Sequence, residues 1–164
     1  MGEAAEPERP PSIKPKIQLS WNQRLGFPIL IAVPILALFG IFGETQTSAH
    51  VASGSLDLRV SYPARFRYRQ VQSLRLSVRN ISTRVLDTVS VAFDTAYISR
   101  FSSVRFDPAT TTAYTVDLTN VKPSESRLIS VELWGQDYGS LRGSIVARNG
   151  NDSVIAHLRT LVFP

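Results

Sequence analysis

The chain has 164 residues, 18 Lys and Arg against 13 Asp and Glu for a formal charge of +5, and no cysteine. Without cysteine there is no disulfide framework, thiolate nucleophile or cysteine metal site, so a folded domain must rely on its core alone. Residues 44–164 hold 14 basic and 10 acidic side chains, 13 of the basic ones Arg; a nucleic-acid footprint calls for a clustered basic face, and no nucleic-acid partner is expected.

Residues 1–24 form a polar tail with Pro7, Pro10, Pro11 and Pro15, too rich in proline to fold alone. They are followed by an uncharged run of 19 residues, LGFPILIAVPILALFGIFG, over 25–43. As a helix this run reaches about 28 Å, near the hydrocarbon thickness of a bilayer, and it is expected to be a single transmembrane helix. Arg9, Lys14, Lys16 and Arg24 precede it, whereas the first basic residue after it is Arg59. The positive-inside rule then puts the tail in the cytoplasm and exports the C-terminal part. Trp21 and Arg24 are the expected anchors at the inner membrane interface. Pro28 is expected in the first turn, and Pro34 should kink the helix near Leu30 to Pro34. Gly26, Val33, Ala37 and Gly40 fall roughly on one face, which either lets another helix approach closely or simply faces lipid in an anchor that happens to contain small residues. A signal peptide cut after Thr47-Ser48-Ala49 is the competing reading; an h-region runs about 7 to 15 residues, and the longer run behind a long tail favours a retained anchor.

Residues 44–54, ETQTSAHVASG, are small and polar and read as a juxtamembrane linker reaching at most about 40 Å. Beyond them the period becomes two. Leu56, Leu58, Val60 and Tyr62 alternate with polar neighbours, as do Leu74, Leu76 and Val78, then Val89, Val91 and Phe93. Further strands are expected at Tyr114 to Leu118, Ile129 to Trp134, Leu141 to Ala147 and Val154 to Val162, with a weaker one around Val104 to Phe106. Asn149-Gly150-Asn151-Asp152 tolerates positive φ and should close the last hairpin. Seven or eight short strands with no helical pattern between them imply an all-β, antiparallel sandwich over 55–164.

From Leu56 to Pro164 the chain resembles bacterial immunoglobulin-like domains, especially the cell-adhesion-related group. LRLSVRNISTRVLDTVSVAF, with an Asn ending one strand before a second alternating run, is similar to their front half. VKPSESRLISVELW and GSLRGSIVARNG are similar to the back half, where a Pro-x-Glu turn precedes one strand and a Gly-flanked strand follows. Where that group usually has Gly before the Glu, this chain has Ser124. The resemblance implies the fold; such domains serve adhesion, docking and structural roles.

No catalytic constellation emerges, and the chain is not expected to be an enzyme. His50 and His157 lack metal-site spacing, and Asp87, Asp94, Asp107 and Asp117 are too dispersed for a calcium loop, so neither metal nor cofactor is expected. No nucleophile elbow or phosphate-binding glycine loop occurs, and no small-molecule substrate is expected. The glycosylation sequons at Asn80 and Asn151 have sufficient roles as a strand end and a turn. In Arg65-Phe66-Arg67-Tyr68-Arg69, arginines alternate with aromatics, the pairing enriched at interfaces. Either this segment contacts an acidic partner or anionic head groups, or its aromatics fill one end of the core while the arginines are solvated. Trp134 with Gly-Gln-Asp-Tyr-Gly after it is a second candidate aromatic loop, for which filling the core is the stronger expectation. Two function classes follow: a noncatalytic accessory subunit of a multisubunit bacterial membrane complex, respiratory or photosynthetic, bound to integral membrane proteins and the bilayer; or a free-standing anchored module for binding, adhesion or assembly.

Overall fold

The computed structural model describes residues 21–38 and 43–164. The chain divides into two units, residues 1–41 and 42–164. Among the described residues the first holds helix α1, Trp21–Leu38. It starts four residues earlier than the uncharged run, so Pro28 falls in its second turn or beyond and not in the first. Both prolines lie inside it, removing the N–H groups that would bond back to residues 24 and 30. No helix among the described residues is long and apolar enough to cross a membrane; residues 39–42, over which the expected span continues, lie outside the described residues, as does the tail 1–20.

The second unit is a β-sandwich made by curling one sheet of nine strands. These are β1 (Thr45–Ser53), β2 (Leu56–Arg67), β3 (Val71–Asn80), β4 (Leu86–Phe93), β5 (Phe101–Asp107), β6 (Thr115–Val121), β7 (Ser126–Gly135), β8 (Gly139–Asn149) and β9 (Asp152–Phe163), with a short helix α2 (Thr95–Ile98) between β4 and β5. The order is β5-β7-β3-β2-β9-β8-β4-β6, with β1 added on β2. The period-two segments are all strands, because alternate residues enter one core: Leu74, Leu76 and Val78 from β3, Ile129, Val131 and Leu133 from β7, Val154, Ala156 and Leu158 from β9.

Two features depart from the reading of the sequence. Residues 45–53, expected as linker, are the ninth strand. Their small polar side chains lack an apolar period, and the strand exists because the two-residue turn Gly54-Ser55 folds it back on β2, Ser53 opposite Leu56. Gly54 has φ 57°, and a Cβ there would meet the Asp152 carboxylate at 2.5 Å. Nor is the sandwich wholly antiparallel. β2 pairs antiparallel with β3 through Leu56–Ser61, whereas Arg65, Phe66 and Arg67 pair parallel with Leu161, Val162 and Phe163 of β9. Its register against β1 shifts between Thr45 and Gln46, opposite Arg65 and Pro63, leaving Ala64 as an extra residue. Such a bulge bends a strand and lets it pass from one layer to the other. The layers are then β1-β2-β3-β7-β5 and β9-β8-β4-β6, an immunoglobulin-like arrangement in which β2 is shared between both.

A buried polar chain holds the crossing. The Thr160 hydroxyl donates to the Pro63 carbonyl at 2.9 Å, so its oxygen accepts from the Tyr97 hydroxyl 3.0 Å away. Thr160 is fully buried and Tyr97 2% exposed. At the other end of the sandwich the Asn80 amide, fully buried, uses all four of its hydrogen-bonding positions: it donates to the carbonyls of Arg84 and Val121 and accepts from the Ser82 amide and hydroxyl. The Asn80 carbonyl accepts from Ser124 N–H at 2.9 Å, tying the turn Lys122–Glu125 to β3. The hairpin turns 54–55 and 150–151 meet there too, with Asp152 accepting from the amide and hydroxyl of Ser55 at 2.9 and 2.7 Å. Those donors, the hydroxyl foremost, hold the Asp152 carboxyl below its ordinary range.

Two predictions follow from these contacts. Ser124 sits at φ 60° after Pro123 in a turn closed by Glu125 N–H to Lys122 C=O, a type II turn that favours glycine. Ser124→Gly is expected to raise stability by about 0.5–1 kcal/mol in denaturant unfolding. Burial pushes the Tyr97 hydroxyl from an ordinary 10.0 up to about 12, the Thr160 hydrogen bond only partly offsetting it. The unfolded chain ionises first, so this contribution is intact below about pH 10 and is lost between pH 10 and about 12, at up to about 1.4 kcal/mol per pH unit. Tyr97→Phe should flatten that alkaline arm by most of this slope; an unchanged slope would show that the hydroxyl already ionises in the folded state.

Candidate interaction surface

The residues singled out in the sequence divide between helix and sandwich. Trp21 and Arg24 belong to the first turn of α1, and their side chains lie outside the described residues. Gly26, Val33 and Ala37 are exposed on the helix, with no atom within 4 Å of a Cβ built on Gly26; Gly40 lies outside the described residues.

In the sandwich the segment 65–69 ends β2 and turns into β3, and it splits between core and surface. Phe66 is 1% exposed. It stacks on Phe101 at 6.5 Å, which meets Tyr97 edge-on at 5.3 Å. Gly135 lies over the Phe66 ring, and a Cβ there would approach it to 2.8 Å. Phe66 therefore fills the core and offers no contact surface. Arg67 and Arg69 are exposed, Arg65 and Tyr68 half-buried. Strand β2 carries this segment as far as Arg67, and alternation there turns Phe66 inward and Arg67 outward, while Tyr68 and Arg69 lie in the turn beyond it. The turn is closed by Gln70 N–H to Arg67 C=O at 3.3 Å, places Arg69 at φ 62°, and stacks its guanidinium 5.2 Å from the Tyr68 ring centre.

Folding brings further residues to this same end. α2 is capped by Asp94, whose carboxylate accepts from Ala96 N–H at 2.9 Å, and tucks Tyr97 against Gly143. Arg100 follows it and pairs with Asp137 of the β7–β8 loop at 3.1 Å. Ala96, Arg100 and Asp137 with Tyr138, Ser140 and Arg142 line an open cleft of about 510 Å³. Tyr138 is 71% exposed, and Trp134, opposite Val71 across β7 and β3, is 49% exposed. Trp134, expected more strongly as core filling, is instead half exposed at the end of β7. The cleft was not visible in the sequence, because its two arginines lie 42 positions apart on segments that only the topology joins.

Elsewhere, His50 lies on β1, where its Nε2 is 2.7 Å from Asp57 Oδ1, with Arg59 at 3.7 Å from the same carboxylate. His157 is exposed on β9. Asp117 accepts from the hydroxyls of Ser90 and Thr111, which hold its carboxyl below the ordinary range. No group of three or more His, Cys, Asp or Glu side chains among the described residues could hold a metal ion.

No protein-family model and no curated protein matches the chain. Among solved structures it is similar to the CARDB domain of a Pyrococcus furiosus protein, at TM-score 0.47 and 13% identity over 66% of this chain and 94% of that one. The same domain in complex with di-metal ions gives 0.44 and 15%, over 70% and 94%. The sulfur carrier protein SoxY from Chlorobium limicola f thiosulfatophilum gives 0.39 and 13%, over 82% and 96%. With each TM-score below 0.5, the assignment of the sandwich rests on its own strand pairing.

The split within 65–69 can be checked by unfolding. Phe66→Ala should cost about 3–5 kcal/mol through lost burial and a cavity beneath Gly135. Arg67→Gln and Arg69→Gln should each change stability by less than about 1 kcal/mol, since they remove only exposed contacts.

Proposed function

We propose that this chain is a noncatalytic accessory subunit of a multisubunit bacterial membrane complex. In this reading α1 anchors it once in the inner membrane, the tail is cytoplasmic, and the immunoglobulin-like sandwich, of the cell-adhesion-related type, stands on the exported side. The observation that carries the reading is the surface of α1. Phe27, Ile29, Leu30 and Leu38 are 61%, 61%, 71% and 87% exposed, and Ile31, Val33, Ile35 and Leu36 at least 39%. A helix apolar all round needs an apolar surrounding; each such side chain left in water forgoes about 1.5–3 kcal/mol. The uncharged run continues to Gly43, and the basic residues nearest it, Arg9, Lys14, Lys16 and Arg24, precede it while none follows before Arg59, which supports a spanning helix with the stated orientation.

The small residues Gly26, Val33 and Ala37 favour a neighbouring helix over lipid alone along one stripe, since they allow close backbone approach. The exposed loop end of the sandwich would serve a free-standing binding module equally well, and the test separates the two. On purification of the full chain from its native membrane in mild detergent, stoichiometric comigration with integral membrane proteins is expected. Gly26→Leu with Ala37→Leu should release those partners while leaving the chain resistant to carbonate extraction. Recovery of the unaltered chain as a lone species would overturn the subunit reading.

A further inference from the structure

We infer that the sandwich rests its β1-starting end on an anionic bilayer surface, with Arg67, Arg69, Arg100 and Arg142 facing phospholipid head groups and Trp134 and Tyr138 seated at the interface. This rests on the membrane-anchored reading above and adds to it a lipid-binding face.

The argument starts from chain path. Thr45, the first residue of β1, pairs with Arg65, so the chain reaches the sandwich at the end that holds the 67–70 turn, α2 and the β7–β8 loop. Six residues, 39–44, separate Leu38 from Thr45; seven steps of fully extended chain cover at most about 25 Å. An anchored chain with so short a connection keeps this end of the sandwich near the head groups.

The chemistry of that end matches what it would meet. Arg67, Arg69 and Arg142 are exposed and form no ion pair among the described residues. The acidic side chains of the same loops are engaged, Asp94 in capping α2 and Asp137 with Arg100; Glu44 precedes β1. At the opposite end Glu125 pairs with Arg127 and Asp152 is held by Ser55, and there is no aromatic side chain in the turns 54–55, 81–85, 122–125 and 150–151. Guanidinium groups match phosphate oxygens in forked geometry. Trp and Tyr, apolar in body and polar at the tip, belong at a membrane–water boundary. Arg100, Ser140 and Arg142 also line the cleft of about 510 Å³, which is open to a phosphate group.

The absence of cysteine from the chain makes the test direct. Full-length Tyr138→Cys and Asn151→Cys, the latter at the opposite end, are each labelled with a fluorophore and reconstituted in nanodiscs. The discs contain phosphatidylcholine alone or mixed with phosphatidylglycerol, with a nitroxide on a fraction of the head groups. Quenching is expected at 138 and not at 151, stronger with phosphatidylglycerol and weakened by salt. Each of Arg67→Gln, Arg69→Gln and Arg142→Gln should lower the docking equilibrium about fivefold, from roughly 1 kcal/mol per arginine near an anionic surface. Equal quenching at both positions, or quenching at 138 indifferent to lipid charge and salt, overturns the inference while leaving the anchor intact. Failure of the full chain to enter nanodiscs overturns the anchored reading itself.

Discussion

The sandwich depends on one event in the chain, the passage of β2 from one layer to the other at Pro63 and Ala64. Proline has no N–H to offer a ladder, so pairing is interrupted at a residue that had no donor to lose. The carbonyl it leaves inside is satisfied by Thr160, whose hydroxyl proton is thereby committed, and this fixes Tyr97 as donor to Thr160. The chain of three groups joins β2, β9 and α2, one group from each. An orphaned carbonyl at that depth would cost about 1–3 kcal/mol. The strand that closes the sandwich and the helix that flanks the cleft are therefore positioned by the same buried polar contact.

From that contact the layout of the β1-starting end follows. With Tyr97 fixed, Phe101 and Phe66 complete an aromatic row beneath Gly135. The row brings the 67–70 turn and the β7–β8 loop together, with Arg69 N–H bonding to the Gly135 carbonyl at 3.3 Å and Tyr68 N–H to the Phe163 carbonyl at 2.7 Å. Backbone groups thus satisfy one another, while the side chains of Arg67, Arg69, Trp134 and Tyr138 are left projecting from a rigid frame. The framing is apolar and internal; what it displays is cationic and aromatic.

Much of this was legible in the sequence and the rest was not, for separable reasons. Strands such as Leu74–Val78 and Val154–Val162 announce themselves because one face is buried, and the core needs every second residue. Asn149–Asp152 was readable as a hairpin because positive φ restricts residue choice, and indeed Gly150 has φ 55°. β1 was hidden because an edge strand of Thr, Ser and Ala has no apolar period; the Gly-Ser pair after it was the available signal. The start of α1 was hidden by Asn22, Gln23 and Arg24, which are polar but good enough helix formers to extend it. The layer switch at Pro63 and the cleft between Arg100 and Arg142 could not be read at all, since both arise from pairings of segments distant in the chain.

The two ends of the sandwich close by different physics, and this bears on which of them can act. At the Asn80 end, side chains are consumed in closure: the Asn80 amide has no hydrogen-bonding position left, Asp152 is held by Ser55, and Glu125 accepts from the Lys122 N–H at 2.8 Å while pairing with Arg127. A group already spent on its own fold gains little by binding elsewhere, because the new contact must replace an existing one. At the β1-starting end closure is achieved mainly by aromatic packing and backbone bonds; Asp94 caps α2 and Asp137 holds Arg100, but Arg67, Arg69 and Arg142 are left without an ion pair among the described residues. A long arginine on such a frame still loses side-chain entropy when it is fixed by a ligand, but Arg67, Arg69 and Arg142 give up no ion pair among the described residues, whereas Arg100 must share its guanidinium with Asp137. Arginine is suited to this position, since its planar fork loses less freedom per hydrogen bond than an ammonium on a flexible stem. The near-exclusive use of arginine among the basic residues after position 43 is consistent with a surface that forms forked contacts to oxygen anions.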